Sequence, residues 1–401
     1  MANKMRTVKY NITFIVIITM LSIGGLISTD IFLPAILDMS DYYKVDESSI
    51  QNAIAIFLLG ISISQLIYGP LSDSFGRRKI LLIGLVIWFF STVGILLTNS
   101  IDSLLLLRFF QGVGSCAGIT ISKVIINDKM GREDAGHLYL IIFPFVGMSP
   151  AIAPMIGGVL NNYFGWKSCF VFLVVFIMFT LFLCFFYLEE TLQKSKRHPF
   201  NISSISLNTL KVFSDKVFIY YALIPCFAYA AYFSYIVESP ILLNKLGLHV
   251  AYIGYSYIGL SLSYVLGNIV AKKICKIRGI DKTIKIGYTI FVIGGVLFLL
   301  QMLLSSSILV TTILSISVLT FGNGFLLPLG TASAIASHKN APGTASGVMG
   351  TLQLGSAAIV SFLIGYLSKH NPTIVAFIIA SISILGFGIF MFFHSNIVNN
   401  D

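Results

Sequence analysis

Asp30, Arg108, Lys123 and Glu238 are ionisable side chains set in or beside long apolar runs. A charged group in such a place costs about 2.5–3.5 kcal/mol to insert, so each needs a partner or a task. A carboxylate near a guanidinium suits proton transfer. Burial favours the neutral acid, a neighbouring cation favours the carboxylate, and a motion that alters either lets the acid take up or release a proton. Asp30 lies in the outer half of the first run and is followed by Pro34, which frees a backbone carbonyl and permits a bend. Arg108 enters the fourth run from the same side by about one turn. Their depths permit contact, as a structural ion pair or as a proton-coupling pair. Gln111 is three residues further on, shares a helix face with Arg108 and extends the polar network.

The other polar groups read less sharply. Glu238 closes the seventh run just before Ser239 and Pro240, where it meets outer water or lines a substrate cavity. On this reading Asp30 is the only carboxylate well inside a run. Lys123 sits close to the inner face and can snorkel outward. Tyr229, Tyr232 and Tyr235 in the seventh run, with Tyr255, Tyr257 and Tyr264 in the eighth, either line an aromatic cavity or face lipid and core. Buried phenols need a hydrogen-bond partner, which keeps the cavity reading open.

A different kind of site lies in the stretch GPLSDSFGRRK at 69–79. Gly69 and Gly76 permit a tight turn, Arg77, Arg78 and Lys79 are cationic, and Asp73 is an acid among bases. Asp73 is either a solvated charge paired locally with Arg77 or a latch against the positive N-terminal end of a neighbouring helix.

The elements that must carry these residues are membrane helices. The chain of 401 residues is 56% hydrophobic and 10% charged, with a mean hydropathy of +0.91, too little polar surface for a water-soluble fold. Twelve apolar runs are long enough to cross about 30 Å of hydrocarbon. They cover 13–36, 50–71, 80–97, 104–126, 137–160, 168–188, 217–237, 252–271, 286–304, 308–335, 343–367 and 373–393. The expected fold is an all-α integral membrane protein of twelve helices in two six-helix bundles. The bundles span 1–188 and 216–401, joined by a Lys-, Ser- and Asn-rich cytoplasmic linker at 189–215. The first run follows Lys4, Arg6 and Lys9 and outlasts a signal-peptide core, so it is read as a retained helix.

The net charge of +10 is a matter of topology rather than of nucleic-acid binding. Alternate loops carry Lys4, Arg6 and Lys9; Arg77, Arg78 and Lys79; Lys129 and Arg132; the cations of the 189–215 linker; those from Lys272 to Lys285; and Lys339. The opposite loops carry only Lys44, Lys167, Lys245 and Lys369. This bias places both termini in the cytoplasm. The five cysteines lack C-x-x-C spacing and the histidines are scattered, so no metal site is expected. No stretch fits a soluble catalytic domain, and G-x-x-x-x-G-K-[ST] is missing. An enzyme is not expected, and the energy source would be an ion gradient.

Gly69, Leu71, Asp73, Gly76, Arg77 and Arg78 match the signature loop of the major facilitator superfamily. Leu104, Arg108, Gln111, Gly112 and Gly114 resemble its fourth-helix motif, and TDIFLPAI resembles the first-helix motif of proton-coupled drug exporters. SPAIAPMIGG, with Pro150, Pro154, Gly157 and Gly158, resembles the antiporter motif. Ser74 and Ala153 depart from the family pattern. The chain is most similar to the Bcr/CflA-type drug:proton antiporters. The resemblance implies a major facilitator fold in the inner membrane, with no cofactor and a proton gradient as the energy source. It implies Asp30 and Arg108 as the proton-coupling residues, and a cavity reached by Gln111, Tyr232, Tyr235 and Glu238. Asp73 would dock near the eleventh helix in the outward-facing state, and the antiporter motif would limit leak between the halves. The expected partners are a small-molecule substrate, protons and the lipid bilayer, with no nucleic acid and a monomeric state. The cargo would be a small amphipathic compound or drug; the alternative is an endogenous metabolite such as a siderophore or polyamine.

Overall fold

Apolar residues around every face of a helix leave it only two places to go, the protein interior or lipid. The helix at Lys167–Tyr187 uses both. Val171, Val175, Met178, Phe179, Phe182, Phe185 and Phe186 form an exposed stripe at three- and four-residue spacing, and Phe170, Leu173, Ile177, Thr180 and Cys184 are buried on the other face. The computed structural model describes residues 12–130, 132–197, 202–304, 309–338, 342–367 and 373–397, and their regular structure is helical.

The first half comprises α1 (Ile12–Asp30), α2 (Ile36–Tyr43), α3 (Glu47–Phe75), α4 (Arg77–Leu97), α5 (Ile101–Lys129), α6 (Arg132–Phe164) and α7 (Lys167–Tyr187). A short helix, α8 (Ile202–Ser214), lies in the segment expected as a hydrophilic linker. The second half comprises α9 (Lys216–Lys245), α10 (Val250–Arg278), α11 (Ile280–Leu303), α12 (Leu309–Ser337), α13 (Pro342–Leu367) and α14 (Thr373–Ile397). Eleven spans among the described residues are long and apolar enough to cross a membrane, α1 and α2 counting together as one. With α6, 33 residues long, they make the twelve-helix architecture that the apolar runs predict.

The chain differs from the sequence reading at two helix ends. α3 does not stop at Gly69; it runs through Pro70 to Phe75, and the turn falls on Gly76 alone, at φ 101°. That backbone region strains any residue with a Cβ. α9 likewise continues through Ser239 and Pro240 to Lys245, so Glu238 is an interior helical residue and not a terminal one.

Two long contacts join the halves, α3 against α13 and α6 against α10. Midway along the first, Ser62 Oγ donates to the Thr351 carbonyl at 2.9 Å and Thr351 Oγ1 donates to the Ser62 carbonyl at 2.9 Å. At the end bearing Gly76 and α8, called the basic end here, Leu66 joins a cluster of Val212, Phe218, Ala222, Ala345, Val348 and Met349. At the opposite end, the 3-10 turn Leu33–Ala35 touches α9 and α10, and α2 touches α9.

Candidate functional site

Asp30 ends α1 because Pro34 has no N–H to return to the Asp30 carbonyl. The chain then turns through Leu33–Ala35, with Ala35 N–H donating to Phe32 at 2.9 Å. This turn is held from behind by α6. Gly157 packs against the Ile31 carbonyl so closely that any Cβ there would overlap it, and Cys169 Sγ also reaches the Gly157 carbonyl at 3.5 Å. Pro154 and Met155, one turn earlier, meet Gly254 of α10. The Pro150, Pro154, Gly157 and Gly158 stretch thus lies between the Asp30 turn and the second half. Gly157→Val is expected to displace the turn and destabilise the fold by about 1–3 kcal/mol, the usual penalty of overpacking. A thermal unfolding series comparing it with Gly388→Ala, where an added Cβ meets nothing within 4 Å and φ is not positive, checks this.

Arg108 is fully buried. Its guanidinium lies between the rings of Phe32 and Phe57, 4.5 and 4.3 Å from their centroids. Nη1 donates to the Ser28 carbonyl at 3.0 Å and to Gln111 Oε1 at 2.5 Å, and Nε donates to the Ala53 carbonyl at 3.3 Å. Gln111 passes the chain on, its Nε2 donating to Thr92 Oγ1 at 2.8 Å. Arginine therefore ties α1, α3 and α5 together through backbone oxygens.

The expected Asp30–Arg108 contact is not made: no ion pair within 4.0 Å joins them, although they interact electrostatically. Similar depth fixes height along the membrane normal, and Arg108 has turned to carbonyls at that height. Among the described residues, the Asp30 carboxyl has no hydrogen bond or ion pair, and Asp30 is 6% exposed. Tyr229 and Tyr232 of α9 and Tyr257 of α10 all lie within electrostatic range of it. Tyr257 shares a hydrogen bond with Ser239 Oγ at 2.7 Å, and Tyr229 reaches Gln353 of α13. Tyr255 is exposed on the outside of the bundle and takes no part. Tyr235 is buried edge-on to Phe298 and lies within electrostatic range of Tyr232 and Tyr257.

Glu238 is a correction. It does not meet water at a helix end; it is 2% exposed and accepts from Gln51 Nε2 at 3.1 Å. The same Gln51 amide donates to the Val237 carbonyl at 3.0 Å, bonding α3 to α9 near the opposite end. Asp30 is therefore not the only buried carboxylate. Gln51 and Gln353 were missed as site residues; Gln353 is a lone amide within an apolar run, and Gln51 stands beside Asn52 at the start of one. Lys123 keeps exposed surface and lies within electrostatic range of Cys116 of its own helix.

At the basic end, Asp73 forms an ion pair with Arg77, the first residue of α4. Arg77 Nε donates to Asp128 at 3.0 Å and its Nη1 to Ser72 Oγ at 2.8 Å. The Arg77 backbone N–H donates to Glu190 at 2.9 Å, so a carboxylate from beyond α7 caps the start of α4. A Cβ added at Gly69 would meet nothing within 4 Å, and the Gly69 carbonyl accepts from Ser72 Oγ at 2.8 Å.

Two six-helix halves meeting around buried polar groups define a multi-pass membrane carrier. The chain belongs to the Major Facilitator Superfamily, whose family profile matches residues 13–361. It is a secondary transporter and not an enzyme. A bicyclomycin resistance protein homolog of Haemophilus influenzae is 24% identical over 368 residues, covering 91% of this chain and 92% of its own. The multidrug resistance protein MdtM of Escherichia coli is 25% identical over 321 residues, 80% of this chain and 78% of its own. In fold, a D-xylose–proton symporter superposes with a TM-score of 0.76 at 14% identity, covering 95% of this chain and 96% of its own.

Proposed function

We propose that this protein exports small amphipathic compounds in exchange for protons, with Asp30 as the proton carrier. The observation that carries the reading is a buried carboxyl with no bonding partner among the described residues, within electrostatic range of tyrosines of the other half. The relatives named for bicyclomycin and multidrug resistance support the cargo class. The basic end is assigned to the cytoplasm by the lysine and arginine bias, in the inner membrane of a bacterium.

In this conformation the halves are joined at the outer end through Gln51 and Glu238, and Asp73 is occupied locally by Arg77. α5 has no extended packing with the second half among the described residues. The outer end is thus closed, the Leu66 cluster joins the halves at the basic end as well, and Asp73 is the latch that would dock to the eleventh membrane helix (α13). Rocking the halves would open the outer end, bring water to Asp30 and load a proton. The return stroke would change its solvation and release the proton inward. At roughly 100 mV, one proton supplies about 2.3 kcal/mol, and one pH unit adds about 1.4 kcal/mol. Together these sustain an outward gradient of several hundred-fold, to order of magnitude, for a neutral solute.

The test is uptake of bicyclomycin- and chloramphenicol-type compounds into everted vesicles with lumenal pH monitored. Substrate entry coupled to proton exit supports the reading, and uptake indifferent to a pH gradient removes it. Sidedness has its own check. A cysteine at exposed Ser195, in a background without native cysteines, is expected to react with an impermeant maleimide only after cell disruption.

A further inference from the structure

Beside the loop network lies a cavity of about 510 Å³, lined by none of the residues around Asp30. Arg78, Lys79 and Leu82 of α4 form one wall, and Glu190, Lys194 and Arg197 of the following segment form the other. We propose that this cavity binds the phosphate headgroup of an anionic lipid of the cytoplasmic leaflet.

Charge is the first argument. Four cations line the cavity against one carboxylate, and that carboxylate is already engaged. Glu190 Oε1 accepts from the backbone N–H groups of Arg77 at 2.9 Å and Leu192 at 3.1 Å, and Oε2 lies 3.7 Å from Arg197. Lys79 and Lys194 have no ion pair among the described residues, and the Nε–H groups of Arg78 and Arg197 are buried without an acceptor. Acceptors are thus in deficit on both walls. A phosphodiester supplies oxygens of the right charge to a cluster of Lys and Arg donors.

Placement is the second argument, and it selects a lipid over free phosphate. Arg78 donates to the Phe185 carbonyl at 2.6 Å and its guanidinium lies 5.6 Å from the Phe185 ring centroid. Phe185 and Phe186 are 53% and 65% exposed and end the lipid-facing stripe of α7. Ile83, Val86 and Phe90 are likewise exposed on α4, above Leu82. A headgroup seated among the cations therefore has apolar surface on the adjoining helices for its acyl chains. Basic pockets at the cytoplasmic ends of membrane helices take anionic headgroups by this combination.

The experiment titrates the purified full chain with phosphatidylglycerol and with phosphatidylcholine of the same acyl chains, reading bound lipid by native mass spectrometry. Wild type is expected to prefer phosphatidylglycerol. Lys79→Gln with Lys194→Gln is expected to weaken that binding roughly 30-fold, at the usual contribution of each surface cation. Lys272→Gln with Lys276→Gln, on exposed positions of α10, is expected to leave it unchanged. Equal loss in both double variants, equal binding of phosphatidylcholine, or ready displacement by millimolar inorganic phosphate overturns the proposal. A second readout needs no variant: phosphatidylglycerol with a photoreactive headgroup should label α4 and the 189–197 segment of wild type. Labelling confined to other segments also overturns it.

Discussion

Asp30→Asn is expected to abolish proton-driven efflux while leaving cargo exchange intact. The amide matches the protonated acid in shape and has no charge to lose, and the side chain makes no bond that the substitution breaks among the described residues. Coupling and folding are thereby separated. In wild type, cargo binding that expels one proton must weaken as pH falls, because binding linkage is reciprocal. The limit for one proton is about tenfold in affinity per pH unit, and it applies across the titration of the group. The Asn variant should bind with no such slope. Proton release on adding cargo to purified protein, followed with a pH dye in weak buffer, reads the same quantity directly. Equal release from wild type and variant places the coupling proton elsewhere. Glu238 is then the next group to replace, since it too is buried.

Arg108→Ala is expected to fail for a different reason. It removes the donor shared by the Ser28 and Ala53 carbonyls and Gln111 Oε1, and empties the space between Phe32 and Phe57. The unpaired acceptors and the cavity together are expected to cost about 2–4 kcal/mol of stability, with transport lost. Arg108→Lys is the informative companion. A lysine keeps the charge but cannot spread donors over three acceptors in the planar fork of a guanidinium. If the role is charge alone, lysine restores transport. The geometry predicts that it does not, and that the melting temperature falls for both variants.

The membrane architecture was legible because it follows from the lengths of apolar runs, a property of the chain read in one dimension. The site was legible only in part. Position within a helix gives the height of Asp30 and Arg108. It gives neither the azimuth of a side chain nor the backbone oxygens within its reach. The carbonyls of Ser28 and Ala53, which hold Arg108, have no letter in the sequence. Glu238 was misplaced because Ser239 and Pro240 read as the end of a helix. Proline is tolerated inside membrane helices where neighbours re-satisfy the freed carbonyl. Gly69 read as a turn for the same reason, since Pro70 follows it. Asp73, by contrast, pairs with Arg77 as the local reading allowed.

The paired bonds between Ser62 and Thr351 have a mechanical consequence. Each residue gives one hydrogen and receives one, so both hydroxyl donors are satisfied without water, whichever side of the membrane is wet. Two bonds side by side resist sliding of α3 along α13 yet only weakly oppose tilting. A joint of that kind acts as a fulcrum. Displacement under rotation grows with distance from it, so the ends of the bundle can part widely while the oxygens at the centre barely shift. Leverage then lets a small change near Asp30 reach both gates, and a cargo held at mid-depth would see its walls trade places without having to travel.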